Sequence, residues 1–385
     1  MTVTTPQGFR AAGTTAGLKD SGRPDLALVV NDGPSRAAAA VFTTNRVQAA
    51  PVKWSRQVVA DGRVDAVVLN SGGANACTGA TGFQNTHATA EHLATILGLS
   101  ATDVAVCSTG LIGTQLPMDR LLPGVAAAAA DLGSAEHYGV AAATAIMTTD
   151  TVTKTAVGNG DGWSIGGMAK GAAMLAPGLA TMLVVLTTDA DVAPPRLDAA
   201  LKEACRTTFE RVDSDGCMST NDTVLLLASA ASSKSPTQQE FQAVLTGVCA
   251  DLASQLLADA EGAAHDIAIT VTSAVNENEA VEVARAVARS NLFKCAVFGR
   301  DPNWGRVLSA VGTTAAAFDP DTLDVSMNGV MVCRDGAVGD DPAKVDLTGR
   351  DLEVVIDLKA GLATATVWTN DLTHDYVHEN SAYST

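Results

Sequence analysis

A threonine carries a hydroxyl but no base of its own. Breaking the peptide bond in front of it changes that, because the freed α-amino group then sits beside the hydroxyl and can take its proton. An α-amine has a reference pKa of about 7.7–8.0 against about 10.4 for lysine, so a usable fraction is neutral near pH 7. The run Lys170-Gly171-Ala172-Ala173-Met174-Leu175-Ala176-Pro177-Gly178-Leu179-Ala180-Thr181-Met182-Leu183 holds the parts for such chemistry. A lysine precedes a Gly/Pro turn, and a small Ala180 leaves room for the Thr181 hydroxyl to reach the preceding carbonyl. The apolar run Met182 to Leu186 follows. An ordinary loop feeding a buried strand has the same pattern, and the residues alone leave both readings open.

Other chemistries lack their residues. Gly72 to Gly79 follows a strand, but has neither the GK[ST] ending of a phosphate loop nor GxGxxG spacing, so it reads as a tight turn packed on neighbouring backbone. His374 and His378 are an i, i+4 pair, yet Asp375 stands where a zinc-protease helix needs glutamate. No GxSxG elbow occurs. Seven cysteines (Cys77, Cys107, Cys205, Cys217, Cys249, Cys295 and Cys333) form no CxxC pair, which suits reduced thiols better than a disulfide framework or a zinc site. A net charge of −17 repels phosphate backbones and anionic lipid, so neither nucleic acid nor membrane is expected as a partner. With no signal pattern at Met1 to Arg10 and no apolar run of about 20 residues, a soluble cytoplasmic protein is expected.

The elements that must position these residues alternate strand and helix. Apolar residues make up 47% of the 385, enough for a buried core in two domains or one large layered unit. Strands are expected at Leu26 to Val30, Ala66 to Leu69, Val104 to Val106 and the alternating Ile267, Ile269 and Val271. A helix is expected over His87 to Leu97, and another where Leu197, Leu201, Cys205 and Phe209 follow Pro194-Pro195. Thr237 with Glu240 forms a capping box ahead of the stripe Phe241, Leu245, Val248, Leu252 and Leu256. Ala280, Val283, Ala284 and Val287 mark one more helix face, and Leu352 to Leu358 with Leu362 to Trp368 suggest a hairpin turning at Ala360-Gly361. The sum is an α/β layered protein without an obvious domain break.

Gly167-Met168-Ala169-Lys170-Gly171 through Ala180-Thr181-Met182-Leu183 closely resembles the processing segment of the ornithine acetyltransferase family, the glutamate N-acetyltransferases of arginine biosynthesis. Further segments look like family signatures in the family's order: Cys107 to Gly113, Met147 to Thr151, Ser219 to Thr223, Asp301 to Arg306 and the run from Asp375 to Thr385. The resemblance implies a layered α-β-β-α sandwich, distinct from the usual N-terminal-nucleophile hydrolases. It also implies self-cleavage between Ala180 and Thr181 into chains 1–180 and 181–385 that share one core. Thr181 would be the nucleophile, with the Thr109 side chain and the Gly110 N–H as oxyanion hole. Thr148, Lys170, Glu261, Asn380 and Thr385 would hold the amino-acid substrate, Lys170 suiting a carboxylate and Glu261 an ammonium. This chain departs from the family's pattern after Glu261, with Gly262-Ala263-Ala264-His265. Asp301 to Arg306 is equally explained by turn and packing.

The implied reaction is a double displacement from N2-acetyl-L-ornithine to L-glutamate, needing no cofactor or metal, in a heterotetramer of two chains of each kind. Three alternatives stay open. The enzyme could also draw acetyl from acetyl-CoA, although few basic clusters are present to hold CoA phosphates. It could be a self-processing aminopeptidase or amidase, or an uncleaved amino-acid-binding protein.

Overall fold

The structure, a computed structural model, describes residues 1–174 and 182–382. Strands are numbered in chain order. One sheet runs β1 (Phe9–Thr14), β2 (Leu26–Asn31), β4 (Ala66–Ser71), β5 (Val104–Thr109). A second runs β3 (Ala37–Phe42), β9 (Thr223–Ala228), β8 (Leu183–Thr188), β7 (Ser164–Lys170), β6 (Lys154–Asn159). A third runs β13 (Ala337–Val338), β12 (Val330–Arg334), β11 (Asp324–Met327), β14 (Asp351–Asp357), β10 (Asp266–Ala274), β15 (Ala363–Asn370).

Side-chain alternation explains how the first two sheets stack. On β8 and β9, Leu183, Val185, Leu225 and Leu227 join the core shared with the first sheet. Their neighbours Val184, Leu186, Val224 and Leu226 join a second core against α5 (Pro194–Thr207) and α6 (Gln238–Ala258). Both faces are therefore covered, which is why these strands read as unbroken apolar runs. Helices α1 (Ala50–Val58), α2 (Gly79–Leu97), α3 (Met118–Ala130) and α4 (Glu136–Ala145) cover the outer side of the first sheet. The layering is α-β-β-α, as the family likeness implied.

Helix starts follow the sequence signals where those exist. Pro194 opens α5, and α6 begins with a complete capping box between Thr237 and Glu240. Among the described residues α6 is the one helix long and apolar enough to cross a membrane. Its Phe241, Leu245, Cys249 and Leu252 are instead fully buried in the second core. Helix α2 starts eight residues before the expected His87. Its polar first turns are held by Asn75, whose Nδ2 donates to the Gly82 carbonyl and to Thr86 Oγ1 at 2.9 Å each.

The third sheet has its own core with α7 (Glu277–Ala288), α8 (Asn291–Phe298) and α9 (Trp304–Val311). One expectation needs correction: the hairpin at Ala360-Gly361 is not one. Strands β14 and β15 are neighbours in sequence, yet β10 lies between them, parallel to β14 and antiparallel to β15. The connection arches over the end of β10, with the Ala360 and Gly361 N–H groups both donating to the Ser273 carbonyl. A Cβ on Gly361 would meet the Ala274 carbonyl oxygen at 2.3 Å, so glycine permits the close crossing. Asp301 to Arg306 builds the entry to α9, with Asn303 as its cap, as a turn-and-packing role requires.

Candidate active site

Strands β4 and β5 are parallel, with Ser71 opposite Thr109. Beyond them the Gly72 and Gly73 N–H groups both donate to the Thr109 carbonyl at 3.0 Å. Amides engaged in this way are not available to cradle a phosphate, so the tight-turn reading holds for this end of the Gly-rich stretch. Gly110 follows at φ +127°, where an added Cβ would lie 2.5 Å from the Gly73 nitrogen. Only glycine fits there without moving backbone. The Thr109 hydroxyl is buried and accepts from Lys170 Nζ at 3.4 Å. A hydroxyl that accepts from an ammonium keeps its own proton free to donate.

Lys170 ends β7. Opposite it stands Leu183, the first residue of β8, and opposite Leu183 stands Thr223, the first of β9. Lys170 is 1% exposed, and burial lowers its pKa against the opposing pull of Asp150. Asp150 is a hub. Its Oδ1 accepts from Lys154 Nζ and from the Gly171 N–H, both at 2.7 Å, and its Oδ2 from the Thr148 N–H at 2.9 Å. Lys154 pairs also with Asp259, which brings the end of α6 into the network. Burial pushes the Asp150 carboxyl up, but the Lys170 and Lys154 charges outweigh it and hold the pKa at about 2.

That shift has a definite sign. A carboxyl held below its ordinary 3.8 stabilises the fold at pH above that value, and loses this contribution as pH falls through about 2. The amount is on the order of 2 kcal/mol. Asp150→Asn should therefore melt well below wild type at pH 5, with the gap narrowing at pH 2.5. Thermal melts at both pH values check this, and a constant gap contradicts it.

Glu261 follows α6, and its N–H donates to the Ala172 carbonyl at 2.9 Å. Its Oε2 accepts from Asn380 Nδ2 at 3.0 Å, on α10 (His374–Ala382), while Oε1 is buried without a hydrogen-bond partner among the described residues. Leaving a buried acceptor unpaired is costly, so a donor from a bound molecule would be favoured there. Glu261 also lines a cavity of about 360 Å³ with Asp215, Lys294 and Tyr376. The departing residues after Glu261 supply their own fastening. Thr373 Oγ1 donates to the Gly262 carbonyl at 2.6 Å, and His265 Nδ1 pairs with Asp371 Oδ2 at 2.7 Å. A Cβ on Gly262 would meet the Tyr376 nitrogen at 2.2 Å, so α10 packs directly on this loop.

Thr109, Gly110, Thr148, Lys170, Glu261 and Asn380 thus form one connected region. Direct bonds join Lys170 to Thr109 and Glu261 to Asn380, Asp150 links Thr148 to Gly171, and the Ala172 carbonyl links on to Glu261. Ala180, Thr181 and Thr385 lie outside the described residues. Met182, the residue after Thr181, is described, and its N–H donates to Asp222 Oδ1 at 3.2 Å. Reasoning from sequence missed Asp150, Lys154, Asp259 and Asp222 as members of this region. Asp150 and Asp222 did stand inside noted signature segments, but nothing in the spacing told what they would touch.

The family model for ArgJ matches residues 10–385. The chain belongs to the ArgJ family. The arginine biosynthesis bifunctional protein ArgJ of Streptomyces coelicolor is 65% identical over 384 residues, 100% of each chain. That of Thermobifida fusca is 63% identical over 385 residues, again 100% of each. A solved ornithine acetyltransferase complexed with ornithine, from Mycobacterium tuberculosis, is 56% identical with a TM-score of 0.46, covering 47% of this chain and 96% of that one.

Proposed function

We propose that this chain is a self-processing acetyltransferase of arginine biosynthesis. It moves acetyl from N2-acetyl-L-ornithine to L-glutamate through an acetyl-Thr181 intermediate. The observation that carries the reading is the gathering of Thr109, Gly110, Lys170 and Glu261 at the sheet end where Met182 leads into β8. Membership of a family whose relatives bear the ArgJ name supports it.

In self-cleavage the Thr181 hydroxyl attacks the Ala180 carbonyl carbon. The C–N bond breaks as the C–O bond forms, and the hydroxyl proton ends on the Thr181 nitrogen. Water then hydrolyses the ester, leaving an Ala180 carboxylate and restoring the hydroxyl. In the first half of transfer the α-amine takes the hydroxyl proton while Oγ attacks the acetyl carbon, then passes that proton to the departing ornithine nitrogen. The neutral amine of glutamate attacks the acetyl ester next, and its surplus proton returns through the α-amine to Oγ. Thr109 and the Gly110 N–H receive the oxyanion in each half. Lys170 and Thr148 take the substrate carboxylate, Glu261 takes an ammonium, and Asn380 and Thr385 complete the site from the C-terminal end. Initial rates should give parallel double-reciprocal lines, whereas intersecting lines contradict the scheme.

Removal of one oxyanion donor typically costs about 10²–10³ in kcat. Thr109→Val, which keeps the shape and loses the hydroxyl, should fall in that range with KM for N2-acetylornithine little changed. Steady-state kinetics check this.

A second reading is favoured by the bifunctional name of the relatives, which fits acetyl-CoA as an additional donor. Release of CoA in the presence of glutamate tests it. The two pieces stay together because β6 and β7 from one share a sheet with β8 and β9 from the other. Two copies of each piece, as a cytoplasmic heterotetramer, complete the proposal.

A further inference from the structure

The signature Ser219 to Thr223 has no part in the reaction as written, yet two of its polar side chains are buried and bound to backbone on two different elements. Asn221 is 5% exposed and Asp222 is 0% exposed, immediately before β9. Asn221 Nδ2 donates to the Ala74 carbonyl at 2.6 Å and to the Ser108 carbonyl at 2.7 Å. Ser108 directly precedes Thr109, and Ala74 ends the turn whose glycines hold the Thr109 carbonyl. The amide orientation is itself fixed, since Asn221 Oδ1 accepts from Thr220 Oγ1 at 2.6 Å. Asp222 points elsewhere and receives the Met182 N–H at 3.2 Å. Its own carbonyl accepts from the Thr43 N–H at 3.0 Å, fastening the dipeptide to the strand on its other side.

The chain bends at Asn221, whose N–H donates to Ser219 Oγ at 3.1 Å, and enters β9 just after Asp222, so the two side chains reach different neighbours. Here one reaches into the first sheet and grips the oxyanion-hole strand. The other grips the first described residue after the nucleophile. We propose that Asn221 and Asp222 are a positioning pair that sets the spacing between the Thr109–Gly110 donors and Thr181. The proposal rests on Thr181 being the nucleophile. Reacting atoms must be held about 3–3.5 Å apart, and a misplacement of about 1 Å can cost on the order of 10²-fold in rate. Burial pushes the Asp222 carboxyl well above the usual carboxylate range, against the opposing Met182 N–H and the Lys170 charge.

The test uses the full chain. Asp222→Leu and Asn221→Leu keep bulk and remove the hydrogen bonds, while Asp222→Asn keeps a side-chain oxygen that can accept. Each Leu variant should slow self-cleavage and lower kcat by about 10²-fold, with KM for N2-acetylornithine within about twofold. Asp222→Asn should stay within a few-fold of wild type in both rates. Circular dichroism melts separate this from loss of folded protein. Should a Leu variant not fold, Asp222→Ala and Asn221→Ala replace it with the same expected split between kcat and KM. Wild-type rates in the variants that lack these hydrogen bonds, or Asp222→Asn as slow as Asp222→Leu, would overturn the pair. A wild-type chain that stays uncut sinks the Thr181 reading instead, so the two failures are distinct.

Discussion

Thr181→Ala should leave a single uncut chain of 39.1 kDa and no measurable acetyl transfer. Alanine keeps the small size at the junction and removes the one atom that, in the proposed mechanism, both attacks Ala180 and carries acetyl. Loss of a covalent nucleophile costs far more than loss of a group that aids it, on the order of 10⁴-fold or more in kcat. Wild type should give two pieces under denaturing conditions, residues 1–180 and 181–385, that migrate together when native. The reason is the register of the second sheet. Lys170 pairs with Leu183 and Met168 with Val185, so the ladder across β7 and β8 survives scission of the link between them. Thr181→Ser retains a hydroxyl and should still cut, more slowly. Intact mass spectrometry reads the outcome and the position of the cut together. An alanine variant that is cut at the same bond, or one that transfers acetyl, removes the basis of the mechanism.

Much of the fold was legible because it is written in local pattern. The Thr237–Glu240 box, the Pro194 start and the runs at β2, β4 and β5 depend only on neighbours in sequence. The order of strands in the third sheet does not. That β10 slips between β14 and β15 is decided by long-range pairing, and the short connection at Ala360-Gly361 looks the same as a hairpin turn until Ser273 is known to lie beneath it. The site divides along the same line. Thr109, Lys170 and Glu261 were found through a family likeness carried by segments in order. Asp150 and Asp222 lay within two of those segments, but their roles come from partners far along the chain, such as Lys154 with Asp259 and Met182 with Asp222. Spacing cannot reveal a contact between residues 154 and 259. Composition even pointed away from it, since a strongly acidic chain suggests solvated charge, while here both lysines of the cluster are fully buried.

Those buried charges give the second large expectation. Lys154 is 0% exposed, with Asp150 at 2.7 Å on one side and Asp259 on the other. A pair of this kind adds little over a well-packed apolar replacement of the whole set, but breaking it from one side strands the remaining charges in a poor solvent. Lys154→Met fills nearly the same volume and removes the cation. Asp150 then keeps the Gly171 and Thr148 N–H donors and the charge of Lys170, and Asp259 keeps the Thr151 N–H at 3.0 Å. The expected cost is about 3–5 kcal/mol, a fall in melting temperature on the order of 10 °C. Adding Asp259→Leu to Lys154→Met should recover part of that loss, because it removes one of the stranded carboxylates, and the coupling between the two changes should exceed about 1 kcal/mol. The effect on catalysis follows by a separate path. Asp150 freed from Lys154 would draw closer to Lys170, competing with the substrate carboxylate and raising KM more than it lowers kcat. Urea or thermal unfolding of the single and double variants measures the first claim, and steady-state kinetics the second. A single variant that melts within a degree of wild type would mean that this cluster is solvated, and that Lys170 is held by something other than the charge network described.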